Sequence, residues 1–140
     1  MKTLFFTLAM VIAGTITASA QENHKLTIIV SDIQIMKGDI LVLVCDKDNF
    51  MKGSVKSGMA SVKGNTATIE ITDLPAGEYA VMLFHDENGN HQLDMGESGV
   101  PLEGFGFSGN ATSIMGVPTF DDCRITVSGD STITIRIQRF

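Results

Sequence analysis

The 140 residues hold no tryptophan, one tyrosine, three prolines and two cysteines. Two thiolates fall short of the four ligands a structural zinc site needs, and their spacing matches no zinc motif. In an oxidising compartment Cys45 and Cys123 permit one disulfide. Two buried free thiols acting as small hydrophobes are the alternative. Basic residues are missing from a long stretch: no Lys or Arg lies between Gly64 and Cys123, where ten Asp or Glu fall. Phosphate recognition runs on Lys and Arg, so nucleic acid is a poor partner for this half. An acidic, cation-free half suits a metal cation; it also suits a solvated face that keeps a protein soluble. The chain has no Walker A sequence, no Gly-rich dinucleotide turn and no G-x-S-x-G elbow. Its three histidines, His24, His85 and His91, have no Ser or Cys beside them in a nucleophile signature. Asp121-Asp122 could do acid–base work, but adjacent acids on a loop more often shape a turn. We therefore expect no enzyme.

What is present begins with an expected secretory leader over residues 1–20. Lys2 supplies its positive end, Leu4 to Ile16 its apolar run, and Ala18-Ser19-Ala20 its small-residue cleavage site. No cysteine follows the run, which argues against a lipid-anchored form. Export to the periplasm or cell exterior is expected, with an exported chain starting near Gln21. Loss of Lys2 takes the formal net charge from −6 to −7 and leaves 120 residues, enough for one domain with a real core over 21–140. No later apolar run approaches the ~20 residues of a transmembrane helix.

Short strands with turn signals between them fill the remainder. Lys25 to Val30 is β-branched and bounded by Ser31-Asp32. Ile40 to Cys45 is apolar on both faces, which suits a central strand. Asp46 to Gly58 is polar and broken, with Phe50 and Met51 as plugs. Met59 to Val62 reads as a short edge strand. Thr66 to Thr72 alternates, with Ala67, Ile69 and Ile71 on one side. Leu74-Pro75-Ala76-Gly77 leads into a strand over Glu78 to His85, where Tyr79 suits a sheet corner with its hydroxyl on backbone. Arg124 to Val127 and Thr132 to Gln138 read as a closing hairpin across Ser128-Gly129-Asp130. The expected fold is all-β: a single antiparallel β-sandwich, immunoglobulin- or transthyretin-like, of about seven strands.

The strand at Glu78 runs into His85-Asp86-Glu87-Asn88-Gly89-Asn90-His91-Gln92-Leu93-Asp94-Met95-Gly96-Glu97. With Asp86 as the first position, side-chain oxygens fall at Asp86, Asn88, Asn90 and Asp94, the Gln92 carbonyl takes the seventh position, and Glu97 closes the twelfth. That is the ligand spacing of an EF-hand calcium loop. His91 stands where the turn calls for glycine, and the flanks are strand-like, so a Ca2+ ion would sit on a β scaffold. The competing reading is a polar hairpin turning on Asn88-Gly89.

Met95 to Asp122 holds six glycines, two prolines and no long strand. Loops of this length tend to be functional or disordered. Phe105, Phe107, Ile114, Met115, Val117 and Phe120 supply too much apolar surface for disorder. Phe105 and Phe107 stand two apart, so in extended chain they share a side. They are candidate ligand contacts; a pair of plugs over an open edge is the plainer reading.

Several segments together resemble a known family. They are Leu74-Pro75-Ala76-Gly77-Glu78-Tyr79-Ala80-Val81, Phe84-His85-Asp86-Glu87-Asn88-Gly89-Asn90, Leu93-Asp94, Pro101-Leu102-Glu103-Gly104-Phe105-Gly106-Phe107-Ser108 and Pro118-Thr119-Phe120-Asp121-Asp122. The chain resembles domain of unknown function 2141 (DUF2141) from about Leu26 to Ile137. The resemblance implies a small extracytoplasmic β-sandwich and no established activity. More loosely, the LPAGEYAV and DENGN pieces resemble surface-protein B-type repeats and carboxypeptidase-regulatory-like domains, some of which bind calcium in the corresponding loop.

The function expected is a secreted or periplasmic non-catalytic module, calcium-stabilised, that binds a protein or glycan partner through its end loops. The alternatives are a structural envelope protein without metal and a small-molecule or hydrolytic site near His85 and Phe105.

Overall fold

The computed structural model of the chain describes residues 18–112 and 116–140. The apolar run Leu4 to Ile16 lies outside the described residues, as do Ile114 and Met115. The described chain is nearly all β. Its strands are β1 (Asn23–Ser31), β2 (Asp39–Cys45), β3 (Lys56–Ser61), β4 (Ala67–Pro75), β5 (Gly77–Asp86), β6 (Phe105–Phe107), β7 (Arg124–Val127) and β8 (Ser131–Arg136), with one short helix, α1 (Phe120–Cys123). They form a three-stranded sheet, β4-β1-β8, and a five-stranded sheet, β3-β2-β5-β6, in which β7 also pairs with β5.

Each strand follows its side-chain alternation. In β4, Ala67, Ile69 and Ile71 are buried while Thr68, Glu70 and Thr72 are exposed. That is the period-2 pattern of a sheet wet on one face. β2 lies between β3 and β5, as its two apolar faces demand. One hydrophobic cluster draws on both sheets, joining Leu26, Ile28 and Val30 of β1 to Val42 and Val44 of β2 and to Val81 and Leu83 of β5. The Tyr79 hydroxyl donates to the Pro75 carbonyl at 2.7 Å, pinning the tight β4–β5 connection.

Three expectations are corrected. Eight strands form rather than about seven; the addition is β6, the run carrying Phe105 and Phe107. Arg124 to Val127 and Thr132 to Gln138 are no hairpin: β7 pairs with β5, while β8 pairs with β1 in the other sheet. The β1–β8 pairing is parallel, so the strands are not all antiparallel. Alternation reports which face of a strand is buried, not which sheet it joins. Ser128-Gly129-Asp130 serves a sheet crossing as well as a turn. A parallel pair only requires a long intervening chain, and here almost the whole protein intervenes.

β5 is long enough to carry two partners along one edge. Met82 to Phe84 pair with β6 and Gly77 to Ala80 with β7. Between them the Val81 amide donates to the Ser108 hydroxyl at 2.9 Å. That hydroxyl donates onward to the Cys123 carbonyl. Ser108 is fully buried, so one side chain satisfies two backbone groups that burial would otherwise leave unpaired.

The Gly-Phe-Gly-Phe run has the same steric logic. A Cβ on Gly104 would stand 2.7 Å from Ile137 Cγ2, and one on Gly106 would stand 2.7 Å from Ile135 Cγ2. The glycines face the core where the chain end crosses closely. Their neighbours Phe105 and Phe107 therefore face the other way.

Candidate functional site

β5 ends at Asp86, whose side chain is fully buried. One carboxylate oxygen accepts from the Gly89 amide at 2.9 Å and the Asn90 amide at 3.2 Å; the other accepts from the His91 amide at 2.9 Å. These bonds curl the chain back over the strand end. Burial pushes the Asp86 carboxyl up, but the amides of His91, Gly89 and Asn90 outweigh it, so its pKa falls below the ordinary aspartate value. The curl requires positive φ at Gly89 (76°) and at His91 (58°). The glycine-like position of His91 is thus adopted, at a cost of roughly 1 kcal/mol for a residue with a Cβ.

The remaining loop oxygens follow in register. Asn88 Oδ1 accepts from the Asn90 amide at 3.1 Å, and Asn90 Oδ1 from the Gln92 amide at 3.0 Å. The side-chain amides of Asn88 and Asn90 both donate to Asp94, the Asn90 bond at 2.8 Å. Asp86, Asn88, Asn90 and Asp94 are therefore tied into one hydrogen-bonded loop. Glu97 is exposed. It lies in a separate turn, where the Gly96 amide donates to Val100 and the Gly99 amide to Gly96. Among the described residues, no three His, Cys, Asp or Glu side chains group as a metal cluster.

The acid that clamps the loop is one the sequence reading passed over. Glu103 is 5% exposed. Its two oxygens accept from the Glu87 amide at 2.9 Å and the Asp94 amide at 3.1 Å. It holds both limbs of the loop, and the Asp94 carbonyl accepts from the Leu102 amide at 2.8 Å. Arg139 reaches back from the chain end to pair with Glu87. No local pattern around Glu103 marks it: an acid between leucine and glycine reads as surface.

His85 is fully buried, with Nε2 2.6 Å from the Lys37 carbonyl and Nδ1 without a partner. A carbonyl can only accept, so Nε2 donates this bond. The ring is closed off from solvent. Phe105 and Phe107 lie edge to face, with centroids 6.0 Å apart, and Phe105 stacks on Phe140 at 5.5 Å. Both rings line a cavity on the outer face of the five-stranded sheet, and His85 does not.

Cys45 and Cys123 are both free and buried. Cys45 pairs across the sheet with Ala80, and Ala80 with Arg124 on its other side. Two interstrand spacings of ~4.8 Å thus separate β2 from the start of β7, beyond the ~7 Å Cα reach of a disulfide. Cys45 Sγ instead donates to the Gly53 carbonyl at 3.0 Å. α1, which ends at Cys123, starts in a capping box in which Thr119 and Asp122 bond reciprocally; Asp121-Asp122 shapes a turn there.

The described structure is thus a two-sheet β protein with an acidic Asx loop at one strand end and no membrane-spanning helix among the described residues. The chain belongs to the family described as uncharacterized protein conserved in bacteria (DUF2141), whose model matches residues 28–135. No curated protein and no solved structure matches it.

Proposed function

We propose that the chain is an exported, non-catalytic module whose two sheets pack as an immunoglobulin- or transthyretin-like sandwich. Its Asp86 loop takes a calcium ion weakly and so stiffens the end loops that meet a protein or glycan partner. The observation that carries this reading is the ring of Asp86, Asn88, Asn90 and Asp94 with His91 at φ 58°. The Asn amide hydrogens approach the Asp94 carboxylate where a cation would neutralise it; turned about, each amide offers an oxygen instead. Asp94, Asn88, Asn90 and the Gln92 carbonyl supply the removable donors, with Asp86 fixing the turn beneath them. Glu97 reaches the ion only if its turn closes over the loop. The strain at His91 argues for weak binding, in the extracellular range with a Kd of ~10⁻⁴–10⁻³ M.

The test is a thermal melt of the exported protein in EGTA against about 1 mM calcium. A Kd of ~0.1 mM gives roughly 1.4 kcal/mol of linkage, a rise of ~3–6 °C for a domain this size. Magnesium gives less, because it resists dehydration. Asp94→Ala abolishes the shift with little change in the calcium-free melt. Asp86→Ala lowers the calcium-free melt as well, since three backbone amides lose their acceptor. Equal melts with and without calcium, and no heat of binding, would leave a structural envelope protein without metal as the better reading.

A further inference from the structure

A cavity of about 610 Å³ opens on the outer face of the five-stranded sheet and reaches in as far as Leu83 of the core cluster. Its floor is Leu43 of β2 with Met82 and Phe84 of β5; β6 adds Phe105 and Phe107. Leu93 and Met95 of the acidic loop, with Val100 and Pro101 beyond it, form one wall. A volume of this size lies within the ~300–1,000 Å³ of small-molecule sites. Every lining residue is an apolar side chain, a glycine or a proline. Met51, Met95, Val100, Val117 and Phe140, all on this lining, are also among the chain's exposed large hydrophobics. Clustered apolar surface around a concavity marks an interaction site.

The lining selects the occupant by what it cannot do. A polar ligand would give up its water with no donor or acceptor in return, at a cost of roughly 1–3 kcal/mol per group. A peptide brings an amide and a carbonyl with every residue. The strands beneath spend their backbone groups on the Leu43–Met82 and Phe84–Phe105 pairings. The far edge of β6 is taken at Phe105 by Gln138, at 3.0 and 2.7 Å, so strand addition is blocked there. A hydrocarbon chain has no such demand. Met51, Met82 and Met95 are unbranched and adaptable, which suits a flexible chain better than a rigid ring system. All of the lining except Leu43, Met51 and Phe140 comes from the stretch that carries ten acids and no Lys or Arg. Within it, Asp94 and the exposed Glu97 adjoin the wall residues Leu93 and Met95, so an anionic head on that side of the mouth would be repelled.

We propose that this cavity holds the single acyl chain of a monoacyl lipid with a neutral or zwitterionic head, the head remaining in water at the rim. This does not require calcium in the Asp86 loop, although that loop supplies one wall.

The experiment uses the purified protein, never exposed to detergent, with the neutral probe N-phenyl-1-naphthylamine. Palmitoyl lysophosphatidylcholine, below its micelle concentration, displaces the probe, and native mass spectrometry finds one lipid per chain. Palmitoyl lysophosphatidylglycerol, with the same tail and an anionic head, binds at least about tenfold more weakly. Met95→Glu places a charge on the wall at an exposed position where folding survives, and weakens lysophosphatidylcholine at least about tenfold. Leu102→Glu, exposed and off the lining, leaves binding unchanged. The proposal is overturned by failure of lysophosphatidylcholine to bind, by equal loss in the two variants, or by an apolar peptide that displaces the probe where the lipid does not. A concentration-dependent dimer abolished by Met95→Glu would assign the face to a second copy instead, and equally overturns it.

Discussion

The two faces of the five-stranded sheet are made by the same strands and built to different standards. On the inner face Val42, Val44, Val81 and Leu83 are at most 3% exposed and belong to the cluster that joins the sheets. On the outer face their neighbours Leu43, Met82 and Phe84 are only partly buried and floor a cavity. The inner residues are mostly β-branched, stiff at χ1, and fit one another in one arrangement. The outer ones are long or flat, and Met in particular accommodates whatever lies against it. Alternate residues of one strand thus do different work: one set fixes the fold, and the other leaves room.

The sharpest way to break this contrast is to truncate adjacent residues of β5. Leu83→Ala removes a side chain of the core cluster that is 3% exposed, and costs about 2–5 kcal/mol. Met82→Ala enlarges a space that already exists, so it forfeits contacts without opening a new internal void; we expect about 1 kcal/mol or less. Urea unfolding of the two variants reads both values. Equal losses would mean that the outer face is as tightly packed as the inner.

A smaller effect sits where β5 passes from β6 to β7. Ser108→Ala leaves the Val81 amide without its partner and the Cys123 carbonyl without its donor, in a buried place. An unsatisfied buried group costs ~1–3 kcal/mol; about 2 kcal/mol is expected in the same unfolding measurement. Ser108→Thr keeps a hydroxyl but adds a methyl to a buried site, so it tests packing and not the bond. A loss near zero for the alanine variant would mean that water reaches this junction.

Much of the framework could be read from local sequence. β1, β2, β4 and β5 announce themselves because alternation and turn residues are local properties, and Tyr79 bonds Pro75 as its corner position suggested. β6 could not be read so easily. Three residues, one of them glycine, carry little alternation, and the reason for Gly104 and Gly106 is Ile137 and Ile135, some thirty residues further on. At the Asp86 loop the positive φ of His91 was legible, because it stands where the turn calls for glycine. The loop's clamp was not, since the burial of Glu103 depends on where the following chain folds. The closing strands were found, but their partners were not, because pairing between sheets is set by the whole chain path.

The last test concerns the sealed end of the outer face. There Ala80, Phe120 and Cys123 form a second small cluster, with Phe50 edge-on to Phe120 at 5.8 Å. Cys45 lies beside it, opposite Ala80. Burial, and then the neighbouring Asp122 charge, push the Cys123 thiol up to about 11; burial and Asp46 raise Cys45 as well. Only the thiolate attacks, so both groups should be inert in the native state on two counts, low ionisation and lack of access. In denaturant without reductant, two thiols per chain should react with a disulfide-exchange reagent; in the native protein they should react only at the rate of unfolding. Exchange at near-neutral pH should therefore slow in proportion to any ligand that stabilises the fold. No reactive thiol in the denatured, unreduced protein would mean that the Cys45–Cys123 bridge forms, and that β2 and β7 approach more closely than the pairing through Ala80 allows. Fast labelling of the native protein would mean that the end of the outer face near Ala80 is as open as the end near Phe84.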